Sequence, residues 1–479
     1  MQKSVIASVV SLVVVIFACT VLGFVFAGSG GVKFSRISMA EDKSLSQELA
    51  IRNKAISGAS QTEDANFERR PMNTEDTPAE APKPSGDKVV LWLSITGFRS
   101  EYMDKAAPEM LNKMVQDGAG TSKMRPIFPT TTYPMHTALA TGVGADKHGI
   151  VQDTFRVGGK METKPMDPAL MTAEPIWTTA TRQGLRVLVH DWPLSQNQTG
   201  EHAAAVFLKE YNPELTDQQR LDALWEAWSG DKNEKKLRLI MGRLNGVNNA
   251  ALENGTKEDA TYEAVKETDK ALAAFLKKVQ DGWKDLAPPN AQLVVVITTD
   301  HGMVDLEKLV NLPQLLGEKM LKHMDVAAND GVANIYFKDL PESEAEKKII
   351  TDELDRDLRA ITYFKTYATA DIPSNWHYAL PDRVGDRVLV LKSGFSFTEK
   401  TAKEPDFEPG ETSGPFAGFG YPVDDVIRMS GITIFWSPDG APVTGTLDEM
   451  SPLVLHPTVC KLLGVEPAAD AKETALSVN

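Results

Sequence analysis

Val89-Val-Leu-Trp-Leu-Ser-Ile95 is a continuous apolar run that stops at Thr96-Gly97. A run without polar alternation reads as a strand covered on both faces, the habit of parallel sheets. A helix is expected from about Pro108 to Gln116, with Met110, Leu111 and Met114 on its apolar stripe and Gly118 as its stop. The unit recurs: Pro175 to Gly184 reads as a helix and Leu185-Arg-Val-Leu-Val189 as the strand after it. Leu237-Arg-Leu-Ile-Met-Gly242, an amphipathic stretch from about Glu258 to Val279 and Leu293-Val-Val-Val-Ile-Thr298 continue the series. Strands alternating with helices predict an α/β fold, an open and largely parallel sheet with helices on both faces. Ligands gather outside the carboxyl ends of such strands, which singles out Thr96, Asn245 and the pair Asp300-His301.

Composition narrows what this core can serve. The chain has 479 residues, a formal net charge of -15 and two cysteines, Cys19 and Cys460. That acidity argues against a nucleic-acid surface, and two cysteines cannot build a disulfide framework. Ser4 to Val32 carries no charge, and the apolar stretch within residues 1–27 is long enough to cross a bilayer. It reads as a membrane anchor, the alternative being a signal cleaved after Val25-Phe26-Ala27, which leaves a secreted protein. Residues 28–87 are polar and rich in Pro, Ser, Glu and Ala, and read as a flexible stalk. Residues 88–467 are the globular part, and 468–479 read as a polar, mobile tail.

Several separate motifs carry a family resemblance. Met124-Arg-Pro-Ile-Phe-Pro-Thr-Thr-Thr132-Tyr-Pro-Met-His136 is followed by Leu139-Ala-Thr-Gly142 and Lys147-His-Gly-Ile-Val-Gln-Asp-Thr-Phe155. Ser94-Ile-Thr-Gly-Phe-Arg99, Glu174-Pro-Ile-Trp177, Thr299-Asp-His-Gly-Met303, Trp376-His-Tyr378, Gly418-Phe-Gly-Tyr421 and Leu455-His-Pro-Thr-Val-Cys-Lys-Leu-Leu-Gly464 stand around them in order. From about Lys88 to Pro467 the chain resembles the nucleotide pyrophosphatase/phosphodiesterase family of the alkaline phosphatase superfamily. The resemblance implies an alkaline-phosphatase-like sandwich with a smaller lobe inserted at residues 306–413. Asn334-Ile-Tyr-Phe337, Tyr367-Ala-Thr-Ala370 and Val388-Leu-Val-Leu391 read as that lobe's strands. It also implies a globular domain outside the cytoplasm, on the periplasmic side, and Thr132 as nucleophile beside two zinc ions that clamp the phosphoryl oxygens.

The zinc ligands are where this sequence departs. Thr96 stands at the position of the family's first aspartate. In Leu244-Asn-Gly-Val-Asn-Asn249, Asn245 stands for an aspartate and Asn249 for a histidine. Phe419 replaces the last histidine, while Asp300, His301 and Thr132 remain. The asparagine that holds the phosphoryl oxygen becomes Asp153, whose carboxylate repels a phosphate. Neutral amides and hydroxyls are weak ligands for a dication and a phenyl ring is none, so a two-zinc site is not expected. Asp300 and His301, with Thr132 and Asp153 nearby, leave room for one zinc or other divalent ion.

Each residue also has a plainer reading. Thr132, ahead of Tyr133-Pro134, can be a helix cap, and Asp300-His301 can be structural. His136, His190, His202, His323 and His456 read as histidines that satisfy local hydrogen bonds, and Arg99 and Arg125 as partners in surface ion pairs, the alternative for either arginine being contact with an anionic ligand. Two functions stand. One is a membrane-anchored envelope protein whose phosphodiesterase domain has lost hydrolysis and binds a phosphate-containing ligand or another envelope protein. The other is a hydrolase using one metal and Thr132.

Overall fold

The central sheet runs, in spatial order, through Ala119–Met124, Gly431–Trp436, Gln292–Thr298, Lys88–Ile95, Leu237–Leu244, Arg186–His190 and Val206–Phe207. All pairings are parallel except those made by Gly431–Trp436, which is antiparallel to both neighbours. The computed structural model describes residues 87–208, 210–445 and 447–479. The expected anchor, and all of the stalk but Asp87, lie outside these residues; among the described residues no helix is long and apolar enough to cross a membrane.

The strand Lys88–Ile95 is central because neither of its faces tolerates water. Val89, Leu91 and Leu93 point into one apolar layer, which the helices Glu109–Asp117, Asp217–Gly230 and Asp259–Leu286 cover. Val90 and Trp92 point into the other, covered by Thr132–Thr141, Ile176–Arg182 and Leu455–Leu463. Burying such side chains contributes roughly 1.5–3 kcal/mol each, enough to fix which face each residue takes.

A second sheet of Met324–Asn329, Val332–Phe337, Arg387–Leu391 and Phe364–Ala368 forms within the expected lobe. The helix at Asp259–Leu286 continues past Val279 because Trp283 and Leu286 prolong its apolar stripe. Gly282 does not stop it. A side chain there would meet the Trp225 ring at 2.9 Å, so glycine allows the two helices to approach.

The tail is not loose. Ala468 and Ala471 are buried, Leu476 and Val478 pack on the core, and Val478 bridges Val443. The segment looks polar in sequence because its few apolar residues are spaced to touch the core one at a time. Trp376 and Tyr378 form an aromatic cluster on Phe128, with Trp376 at 4.1 Å and Tyr378 at 5.0 Å between ring centroids.

Candidate functional site

Register brings the named strand ends together. Ser94 faces Arg243 on one side and Thr298 on the other. Side chains in a strand alternate, so two residues further on the three chains present Thr96, Asn245 and Asp300 from the same face. The helix Thr132–Thr141 packs on that face. A cleft of about 540 Å³ opens there, lined by Thr96, Thr132, Asp153, Asn245, Asn249 and Phe419 among others. Asp300 and His301 lie fully buried behind it.

Asp300 is held by backbone amides. Its Oδ1 accepts from Gly97 N at 3.0 Å and from His301 N at 2.9 Å, while its Oδ2 has no hydrogen-bond partner. Gly97 sits at φ +71°, and a side chain there would lie 2.9 Å from Met303 Sδ, so only glycine turns its amide onto the carboxylate. His301 Nδ1 donates to Gly302 O at 2.9 Å. Its Nε2 lies 3.4 Å from Thr132 Oγ1 and 3.4 Å from Asp300 Oδ2. Phe419 stacks on the imidazole with centroids 4.0 Å apart.

Thr132 does not cap its helix. It is the first helical residue, and Thr131 at the cap position turns its hydroxyl to Gln152 Oε1 at 2.9 Å. Asp153 does the capping instead, Oδ1 accepting from Tyr133 N at 2.9 Å. That bond holds Asp153 at the amino end of the helix, where a carboxylate is favoured by the backbone dipoles. Burial nonetheless raises its pKa, against the opposing pull of the Tyr133 amide and Lys164.

His136 satisfies local bonds as expected, yet it also belongs to the floor of the site. One turn after Thr132, its Nδ1 donates to Thr132 O at 2.8 Å and its Nε2 accepts from Ser94 Oγ at 3.0 Å, with Asp300 Oδ2 3.5 Å from Nδ1. Burial lowers its pKa to about 4, so it stands there uncharged. His148, at a motif position, is buried outside the cleft and its Nδ1 accepts from Ile150 N. Arg125 does pair at the surface, with Asp424 and Glu449. Arg99 is buried instead, between Thr256 and Glu101.

Sequence reasoning missed four further lining residues: Arg243, Tyr211, Asn248 and Asp330. Tyr211 accepts from Asn245 Nδ2 and lies between Arg220 and Arg243, 5.2 and 4.8 Å from its ring centroid. Of the four only Asn248 sits in a quoted motif, Leu244–Asn249, where it was not singled out; of the other three only Arg243 carried a signal, a charge inside an apolar strand.

Asp330 gives the site a pH signature. Burial and the neighbouring Asp153 charge push its pKa up to about 8, from 3.8 in the unfolded chain. The folded state thus prefers the proton: the contribution is fully present below pH 3.8 and is lost as pH rises through 8. Asp330 also has φ +53°, which asparagine tolerates. Asp330→Asn is expected to leave stability at pH 4 nearly unchanged and to raise it at pH 8.5 by on the order of 1 kcal/mol. Urea unfolding at the two pH values checks this; equal effects at both would contradict it.

The donor set does not fit two dications. At the family's ligand positions Thr96, Asn245 and Asn249 offer neutral oxygens and Phe419 a ring, and only Asp300 and His301 keep a carboxylate and an imidazole, while Asp153, Asp330 and Glu399 line the cleft at other positions. Among the described residues no group of three or more His, Cys, Asp or Glu is arranged to hold a metal.

Residues 90–416 match the family model described as type I phosphodiesterase / nucleotide pyrophosphatase. The chain is 24% identical over 418 residues to mouse ectonucleotide pyrophosphatase/phosphodiesterase family member 1, a match covering 83% of this chain and 42% of the relative. It is 23% identical over 335 residues to an uncharacterized pyrophosphatase/phosphodiesterase of Schizosaccharomyces pombe, covering 67% and 66%. The chain therefore spans less than two thirds of each of these relatives. The structure of murine ectonucleotide pyrophosphatase/phosphodiesterase 5, in an inactive form in complex with AMP, superposes with a TM-score of 0.66 at 23% identity, covering 80% of this chain and 96% of that one. At that identity the likeness establishes the fold.

Proposed function

The chain belongs to the type I phosphodiesterase / nucleotide pyrophosphatase family, and on that premise we propose that its cleft has given up two-metal phosphodiester hydrolysis and binds a phosphate-containing ligand. The N-terminal segment is proposed to hold the domain on the outer, periplasmic side of a membrane. One observation carries the reading: Thr96, Asn245, Asn249 and Phe419 line a single cleft in front of Asp300 and His301. A bimetallic centre needs anionic and imidazole donors on both ions, because their charge must be compensated and their coordination filled. Neutral side chains on one half supply neither.

A second reading, hydrolysis with one metal on Asp300 and His301, is favoured by the 3.4 Å approach of His301 Nε2 to Thr132 Oγ1. That approach would set a metal held by Asp300 and His301 beside the Thr132 hydroxyl, whose pKa it would lower. The two readings part in one assay. With zinc supplied, turnover of bis(4-nitrophenyl) phosphate and of 4-nitrophenyl phosphate is expected to stay at background, and Thr132→Ala to leave it there. Turnover that Thr132→Ala reduces a hundredfold or more would establish the second reading.

A further inference from the structure

Three arginines are buried in the described residues, and two of them are paired. Arg99 meets Glu101 and Thr256. Arg220 meets Asp191 and the carbonyls of Asn212 and Pro213. Arg243 is 6% exposed and lines the cleft, and among the described residues it has neither a carboxylate at ion-pair distance nor a hydrogen bond. Its Nε is enclosed without an acceptor, the Tyr211 ring lies 4.8 Å from the guanidinium, and its charge is felt by Tyr133 and His136, neither of which is an anion.

An arginine keeps its charge throughout the physiological range, so this is a desolvated cation that the protein itself does not neutralise. The face of one tyrosine offsets only part of that cost. A site that retains such a group is arranged for a charge arriving from outside. The surroundings agree on the sign. Thr96 Oγ1, two residues beyond Ser94 on the adjacent strand, is buried and free to donate. Lys164 stands exposed on the rim. Of the three carboxylates that line the same cleft, Asp153 caps a helix, Asp330 has its pKa raised to about 8, and Glu399 is exposed to solvent.

We propose that Arg243 is the anion-binding residue of this cleft, its guanidinium holding the oxyanion of a phosphate ester without a metal. A planar fork of donors suits two phosphoryl oxygens at once, and a fixed cation on a central strand can serve where a zinc pair is not formed. The inference rests on the reading of the cleft as a metal-free ligand site.

The test is titration calorimetry on the full-length protein in EDTA, with AMP, inorganic phosphate and adenosine as separate probes. AMP and phosphate are expected to bind, more weakly as salt rises, and adenosine not to bind. Arg243→Gln is expected to weaken AMP at least tenfold, and Arg243→Lys to retain part of the affinity. The melting temperature of ligand-free Arg243→Gln is expected to equal or exceed that of the parent, because an unneutralised charge leaves the interior; a purely structural arginine would lower it. AMP affinity unchanged by Arg243→Gln, adenosine binding as tightly as AMP, or no binding of either phosphate probe overturns the assignment of Arg243 while leaving the loss of hydrolysis intact. Binding that appears only when zinc replaces EDTA overturns both this proposal and the metal-free reading beneath it.

Discussion

Thr96→Asp, Asn245→Asp, Asn249→His and Phe419→His, made together, are expected to give a protein that takes up zinc where the parent does not. The four positions share one cleft with Asp300 and His301 behind it, so the new carboxylates and imidazoles converge on space that neutral groups now line. Phe419 already lies 4.0 Å from the His301 ring, which puts a replacement imidazole beside an existing donor. Without metal the variant should be less stable than the parent, because a carboxylate at position 96 is set near the buried Asp300. Zinc should reverse the loss. At a thousandfold excess over Kd, binding to the folded state alone adds about 4 kcal/mol, which a thermal melt reads as a zinc-dependent rise absent from the parent. Equal zinc responses in variant and parent would mean that these positions do not form the lost ligand set.

Asp217→Ala should be the most damaging single substitution near the cleft. Asp217 begins one helix and caps another: its carboxylate accepts from Asn245 N at 2.7 Å, from Gly246 N at 3.0 and 3.1 Å and from Thr268 Oγ1 at 2.6 Å. The group is buried, so these bonds are charge-assisted and shielded from water. Removing it strands the first amides of the Gly246–Asn254 helix and frees the turn that aims Asn245 into the cleft. A loss of about 3–5 kcal/mol is expected in urea unfolding, with Asp217→Asn costing less because one acceptor oxygen survives. A midpoint within experimental error of the parent would show that the turn is held by something else.

What could be read in the sequence follows a physical division. Apolar runs such as Val89–Ile95 and Leu293–Thr298 declare buried strands directly, and the strand-end rule then pointed to Thr96, Asn245 and Asp300 before any coordinate. Helix ends were less legible: Gly282 carries a stop signal, yet close packing on Trp225 is what requires it. Long-range electrostatics were not legible at all. Asp217 meets Asn245 across 28 residues, and Asp330 meets the site through a turn in the lobe, so neither belongs to a local pattern. His136 shows a related limit, since its spacing from Thr132 is visible in sequence but its approach to Asp300 is not. Arg243 was passed over because a lone charge in a strand ordinarily marks an exposed edge position, whereas here the strand is central and the charge faces the cleft.

Zinc stoichiometry bears most directly on the central claim that this cleft is a phosphodiesterase cradle stripped of its metal donors. The full-length protein, saturated with zinc and then desalted, should retain far less than one equivalent by elemental analysis, the same in the parent and in Thr132→Ala. Two equivalents retained by the parent would contradict the account.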